Sequence, residues 1–522
     1  MNRIGKVTIT AWLLAAGVAA SVAAAPPATP GSAVRDRVRA YRVSHEREIV
    51  GELSGLLAIP NVASNLQDIR RNAGHLLEML RRRGFEARLL EGGEGSRPAV
   101  LGELRTPGAQ RTIVFYAHYD GQPVDPSKWV SDPWKPVLRT GPLADGVREV
   151  DLATVKGPLN GEWRIFARSA SDDKAPIVAI LTALDALRAA GIAPSVNLKI
   201  FLEGEEEAGS GHLTDILHRH ASLLAADAWI FCDGPIHPTR KMQVFFGARG
   251  VSGLELTVYG PLRPLHSGHY GNWAPNPAVE LAHLVAGLRN EEGLILIPGF
   301  YDDVRALTEQ EKKAVAALPD VETGLRKELG LGRTEGGEAR LQERVMLPAL
   351  NVRGLRAGDV GEAAANAIPT EARASIDFRL VPDQTPEKVR SKVEADLRRQ
   401  GWLVVAEPPD LTARLAHPRI VRAEWSLGYA PSRTDMSLPI SRAVAAAVSE
   451  ATGEPVIQVP ILGGSVPMAL FTDTLHVPLI GVPMVNHDNN QHGINENLRL
   501  QNLWDGIEVY AVLMARLGAL AP

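Results

Sequence analysis

A chain of 522 residues has length for more than one domain and for a sizeable core. Its 45% hydrophobic and 22% charged residues fit an ordinary soluble globular protein. A formal net charge of -4 provides no basic stripe for phosphate contacts, which excludes nucleic acid as a partner, and the sole cysteine, Cys232, excludes a disulfide within the chain.

Arg3 and Lys6 precede the apolar run "VTITAWLLAAGVAASV", which ends in "AAA" at Ala23–Ala25 and "PPATPGS". A basic segment, an apolar run and small residues read as a secretory signal peptide over 1–25. With no later segment resembling a membrane span, the mature protein is expected to be exported, periplasmic or secreted, and free of the membrane. Helical periodicity follows from about Val34 to Ala58 and from Leu66 to Gly84. "PAVLGEL" and "RTIVFYAHYD" read as strands, "DKAPIVAILTALDALRAAG" as a helix, and "VNLKIFLE" as a strand. "LTDILHRHASLLAA" reads as a helix and "DAWIFCDG" as a strand. Alternating strands and helices predict an α/β layer architecture, with a catalytic domain beginning at 34–242.

The pattern changes near Gly247. "GVSGLELTVYG" alternates like a half-exposed strand and offers an edge for pairing in a dimer, "NPAVELAHLVAGLRN" and "TPEKVRSKVEADLRRQG" read as helices, and "EARASIDFRLVP" as a strand. A polar, Gly- and Glu-rich helical stretch lies between Pro298 and Leu350. The reading is an inserted α+β domain over 243–405, after which the α/β domain resumes over 406–522 and ends in the helix "NLWDGIEVYAVLMARLGAL".

Ligands bind where parallel strands end. "FYAHYD" places His118 and Asp120 on one face, since side chains alternate along a strand. "ARSASDDKAP" brings Asp172 and Asp173 to a helix start, "FLEGEEE" ends in Glu205, Glu206 and Glu207, and "IFCDG" ends in Asp233. Each alone is bland, because an Asp before a helix is commonly a cap. Together they are imidazole and carboxylate donors suited to zinc, with manganese or cobalt as alternatives. Adjacent glutamates reach one site only if the chain turns, and the glycines of "EGEEEAGSG" permit it. One glutamate then serves as ligand and its neighbour as base. A cation also makes the crowded carboxylates tolerable.

"HYDGQPVD", "SDDK", "EGEEEAGS", "DG", "HSG", "IDFRLVP", "GGSVP" and "HGINENL" follow one another in an order that resembles the di-zinc peptidases with a dimerisation lid. That family includes the folate-cleaving carboxypeptidase, aminoacylase and the carnosinase-like dipeptidases. "GFYDDV", the long lid and "HGINEN" look most like the dipeptidase branch. The resemblance implies a mixed sheet flanked by helices, an inserted lid, and two divalent metals per subunit. His118, Asp172, Glu207, Asp233 and His492 would be ligands, with Asp172 bridging. Asp120 would orient His118, and Glu206 would be the general base. His266 would reach the neighbouring subunit's site in a homodimer. Arg379 would bind the substrate carboxylate, with Gly464, Ser465 and Asn366 beside it. The expected substrate is a small peptide with a free C-terminal carboxylate, or alternatively an N-acyl amino acid.

Rivals remain in the residues themselves. His487 competes with His492, Glu205 with Glu206, and Asp377 for Arg379. Ser171 and Lys174 form an S-x-x-K at a helix start, without a K-T-G or S-D-N companion. An exported α/β protein could also be a solute-binding protein. The sequence departs from the family pattern at Ala167–Ser169, at Lys174–Pro176 and in a segment of about 25 residues before them, which affects the pocket near Asp172.

Overall fold

The computed structural model describes residues 30–520; the expected signal peptide lies outside them. Eight strands form the large sheet, in the order Glu86–Leu90, Ala99–Leu104, Asn197–Glu203, Thr112–His118, Ala228–Phe231, Leu479–Gly481, Gln243–Phe245 and Ile457–Val459. Thr112–His118 is buried at every position after the first, as its unbroken apolar run requires of a strand covered on both faces. Ile113 and Phe115 pack with the helices Lys174–Ala189 and Leu500–Leu520. Val114 and Tyr116 face the opposite cluster with Leu213, Leu217 and Phe471. Burying each such side chain contributes about 1.5–3 kcal/mol. Asn197–Glu203 and Ala228–Phe231 run parallel to Thr112–His118 on either side, with His118 opposite Glu203. Three parallel strands therefore deliver their C-terminal ends to one edge. The sheet is mixed, because Ala99–Leu104 pairs antiparallel with Asn197–Glu203. The segment "LTDILHRHASLLAA" forms two helices, Leu213–Arg219 and Ala221–Leu224, meeting at His220.

The small domain is a five-stranded sheet in the order Ala349–Arg356, Glu371–Leu380, Gly250–Tyr259, Ile420–Tyr429 and Leu403–Val405. Leu254, Leu256, Ile376 and Phe378 pack beneath Leu281, Leu284, Val389 and Val393 of the helices Pro277–Leu288 and Pro386–Arg399. The opposite face carries Arg379 and Asp377, two residues apart on their strand. The expected boundaries shift here. Gln243–Phe245 belongs to the large sheet, and Ile420–Tyr429 pairs with Gly250–Tyr259, so the small sheet's strands run from Gly250 to Tyr429 rather than over 243–405. Gly250–Tyr259, with one half-exposed face, is the central strand and not an edge; the edges are Ala349–Arg356 and Leu403–Val405.

Candidate metal centre

His118 comes from the end of Thr112–His118, and Asp172 from the turn preceding the helix Lys174–Ala189. Asp233 follows Ala228–Phe231, Glu207 lies in the short turn Glu206–Ala208, and His492 comes from a C-terminal loop. Donor atoms of His118, Asp172 and Asp233 all lie within 4.8 Å of one another, as do those of Asp172, Glu207 and His492. Asp172 belongs to both triads. Its Oδ1 is 2.8 Å from His118 Nε2, and its Oδ2 is 3.1 Å from His492 Nε2. Glu207 Oε2 stands 3.2 Å from the same His492 nitrogen. His487 belongs to neither triad.

Glu206 approaches from the side, its Oε2 4.0 Å from His118 Nε2. The turn expected from the glycines is present: Glu206–Ala208 is a single 3-10 turn, closed by Gly209 at φ +87°. Asp120 holds it. Its two carboxylate oxygens accept from the backbone N–H of Glu206 (3.1 Å) and Glu207 (3.0 Å), and Oδ1 also lies 3.5 Å from His118 Nδ1. Glu205 is turned away. It accepts from the His212 backbone N–H and faces that residue's ring Nδ1 at 3.0 Å.

Counting the protein's own groups, burial first and then the Asp172 charge push Glu207 up to about 7 and Asp233 up to about 6. Burial also raises Glu206, with Asp233, Glu207 and Asp172 adding to it and His118 opposing. Of the cluster's carboxylates Asp172 alone is held well below its ordinary value: burial opposes its charge, but the hydrogen bonds to His118 and His492 outweigh it. A carboxylate cluster of this kind keeps its charge when a multivalent cation lies among it. Two histidines and three carboxylates in two triads with one shared member fit a pair of divalent metal ions.

Sequence reasoning gave no role to three residues that shape this site. Glu496, fully buried, accepts from the backbone N–H groups of Ser169, Ser171 and Asp172 and from Arg168 Nη1, at 2.8–2.9 Å. It lies four residues beyond His492, so one loop supplies a donor and anchors Asp172. Gln122 donates to Glu207 Oε2 at 2.8 Å. Tyr429 reaches the site through a bulge: Gly253 pairs with Ser426 but Val251 with Tyr429, so one extra residue turns Tyr429 onto the face of Arg379. Gly428 makes the bulge at φ +58°, where a Cβ would meet Val251 O at 2.3 Å. Burial and then the Glu206 carboxylate hold the Tyr429 phenol well above its ordinary value, so it stays protonated.

Arg379 pairs with Asp377, the rival weighed for it, and meets Ser465, which the resemblance set beside it. Its Nε bonds Asp377 at 3.0 Å, and its Nη1 donates to Ser465 Oγ at 2.8 Å, with Gly464 beside it. His266 and Asn366 lie elsewhere. His266 is exposed on a two-stranded ribbon opposite Ala367; its ring accepts from the Gly268 N–H, and the Asn366 carbonyl accepts from the neighbouring Ser267. Among the described residues neither touches the His118–Asp172–His492 cluster. Lys174 donates to the Leu56 and Ile59 carbonyls and Ser171 to the Asn497 carbonyl, so the S-x-x-K pair does not meet. The segment before Asp172 packs over the N-terminal helices, where Glu46 accepts from the Leu159 N–H and Arg47 bonds the Gly157 carbonyl. No helix among the described residues is long and apolar enough to cross a membrane.

The chain is 27% identical over 431 residues to the Cys-Gly metallodipeptidase of Schizosaccharomyces pombe, covering 81% of this chain and 84% of the relative. It is 25% identical over 514 residues to the human Beta-Ala-His dipeptidase, covering 94% of each. Among solved structures, an M20 family metallo-carboxypeptidase from Sulfolobus solfataricus superposes with a TM-score of 0.72 at 28% identity, covering 90% of this chain and 99% of that one. The fold of human carnosine dipeptidase 1 matches with a TM-score of 0.73 at 23% identity, covering 94% and 100%. The model of peptidase family M20/M25/M40 matches residues 114–516, and the chain belongs to that family.

Proposed function

We propose that this protein is an exported, metal-dependent dipeptidase that hydrolyses small peptides with a free C-terminal carboxylate, and that it works as a homodimer. The observation that carries the reading is Asp172 shared by two ligand triads with Glu206 free beside them. The metallodipeptidase and dipeptidase relatives support the substrate class. His118, Asp172 and Asp233 would hold one divalent ion, and Asp172, Glu207 and His492 the other, most simply zinc. Such ions supply Lewis acidity that acidifies water and polarises a peptide carbonyl.

The chain's own residues do the rest. Glu206 takes a proton from water on its carboxylate and passes it to the leaving amine. Asp120 keeps Glu206 and Glu207 at fixed places by holding both backbone N–H groups. Arg379, on the small sheet and already bonded to Ser465, pairs with the substrate's C-terminal carboxylate. The protonated Tyr429 hydroxyl, on the same face of the lid sheet, is a donor toward the substrate. His266, exposed on the lid, would stabilise the oxyanion in the partner's site. Export rests on Arg3, Lys6 and the apolar run to Ala25.

Arg379 would read the carboxylate of an N-acyl amino acid equally well, so deacylation is the second reading. Protein stripped by a chelator, then reloaded with zinc, manganese or cobalt, is assayed against dipeptides and N-acyl amino acids. Dipeptide hydrolysis should vanish on chelation and return with metal. Full activity in protein shown metal-free by elemental analysis overturns the reading, and activity on acyl-amino acids alone selects the second one.

A further inference from the structure

The turn Leu462–Ser465 is gripped by two arginines. Arg249 Nε donates to the Gly463 carbonyl at 2.9 Å, while Arg379 Nη1 donates to Ser465 Oγ at 2.8 Å. Ser465 Oγ in turn donates to the Gly250 carbonyl at 3.4 Å, next in the chain to Arg249. The two cations differ in one respect. Arg379 has the Asp377 carboxylate at 3.0 Å, whereas Arg249 has no carboxylate within ion-pair distance among the described residues. Arg249 is partly buried, and burial together with the Arg379 charge pushes it down to about 10.

A guanidinium carries five N–H donors, of which Arg249 spends one on Gly463. Arg249 also lines a cavity of about 840 Å³. Ala349 and Asn351 wall that cavity, and they are the strand partners of Arg379 and Asp377. The cavity therefore opens one strand away from the Arg379 clamp. Acidic groups also line it: Glu335 is paired with Arg289, Glu322 lies 3.6 Å from Arg340, Asp320 accepts from the Glu322 N–H, and Glu338 has no ion pair among the described residues, set against the arginines Arg249, Arg289, Arg326, Arg333, Arg340 and Arg344. Arg333, on the same wall, has no ion pair among the described residues. Six arginines and four acids thus line the cavity, and Arg249, at the clamp, is a partly desolvated cation that is costly to keep unless an anion completes it.

We propose that this cavity receives the side chain of the substrate's C-terminal residue and that Arg249 pairs with a second carboxylate there, making the enzyme selective for peptides ending in aspartate or glutamate. The proposal rests on the dipeptidase reading, in which Arg379 takes the main-chain carboxylate. Glutamate and glutamine have one shape and differ in one charge, so the pair isolates the interaction. A hydrogen-bonded charge pair of this kind discriminates by about 10- to 100-fold.

The test measures kcat and KM of the metal-loaded enzyme on Ala-Glu, Ala-Gln and Ala-Leu at two ionic strengths. Wild type should favour Ala-Glu over Ala-Gln by about 10-fold or more in kcat/KM, mainly through KM, and the preference should shrink with added salt. In Arg249→Gln the ratio should fall toward one. Damage to the Gly463 turn would lower all three substrates together and leave the ratio intact, so the ratio separates charge from packing. Equal use of Ala-Glu and Ala-Gln by wild type overturns the subsite while leaving the dipeptidase reading standing, as does a ratio that survives Arg249→Gln. Hydrolysis of none of the three by enzyme shown to hold metal overturns both.

Discussion

Replacing Glu496 by glutamine should loosen the metal centre without touching a ligand. The carboxylate is fully buried, with Oε1 accepting from Ser171 N and Asp172 N at 2.9 Å and Oε2 accepting from Ser169 N and Arg168 Nη1 at 2.8 Å. An amide keeps one oxygen and turns an NH2 toward two donors. Whichever way the amide turns, buried Arg168 loses its carboxylate partner and keeps neutral acceptors such as the Gly493 carbonyl at 3.0 Å, with its stacking over Trp129. Removing one partner of a buried pair costs about 3–5 kcal/mol. Since the freed N–H groups belong to the turn that carries Asp172, the affinity for metal should fall by about 10- to 100-fold, as when residues supporting a ligand are lost. Urea unfolding of stripped protein measures the first effect, and zinc titration of folded protein the second. Glu508→Gln is the control: Glu508 pairs with Arg39 and Arg42 far from the ligands, so it should lose stability and keep zinc affinity. The reasoning is refuted if Glu496→Gln unfolds within about 0.5 kcal/mol of wild type and binds zinc as tightly.

Glu206→Gln should retain both metals and lose about 10²–10⁴ in kcat, whereas Glu207→Gln should lower metal content; elemental analysis beside the assay checks both, and the opposite pattern reverses the two roles. Mixing inactive Glu206→Gln with inactive His266→Ala under subunit exchange should restore up to about half of one dimer's activity per heterodimer. No recovery, with exchange verified by tagged subunits, would remove His266 from the partner's site. Asp505 is raised to about 6, by burial first and then by Glu508 against a Gln501 hydrogen bond. A raised acid favours folding below the unfolded value of about 3.9 and loses that contribution as pH rises through about 6. Asp505→Asn should therefore stabilise the protein by about 1–2 kcal/mol at pH 7.5, discounted for partial exposure, with the gap closing below about pH 4. Urea midpoints at both pH values check it, and a gap that widens on acidification contradicts the sign.

Most of the large domain was legible because its signals are local. The apolar run of Thr112–His118 and the periodicity of Lys174–Ala189 each specify one element, and parallel strands then carry His118, Glu207 and Asp233 to one end. What was misread depends on pairing between distant segments. Nothing in "GVSGLELTVYG" tells a centre strand from an edge, since both partners of Gly250–Tyr259 come from more than 100 residues away. The strand Ile420–Tyr429 was assigned to the wrong domain for the same reason. The choice of Glu206 over Glu205 has a cause visible only in three dimensions: Asp120 grips the backbone of 206 and 207, while His212 captures Glu205. Glu496 could have been suspected from its place in "HGINENL", four residues from His492. Arg249 and Tyr429 carry no such mark, because one owes its place to the Gly463 turn and the other to a bulge at Gly428.

The central claim is that Asp172 is shared between two metal ions while Glu206 binds neither. Crystals of zinc-reconstituted protein, with anomalous diffraction recorded at the zinc edge, test it directly. Two peaks are expected per subunit, one bonded by His118, Asp172 and Asp233 and the other by Asp172, Glu207 and His492, each at about 2.0–2.2 Å. A single peak, or a peak bonded by Glu206 in place of Glu207, would contradict the account.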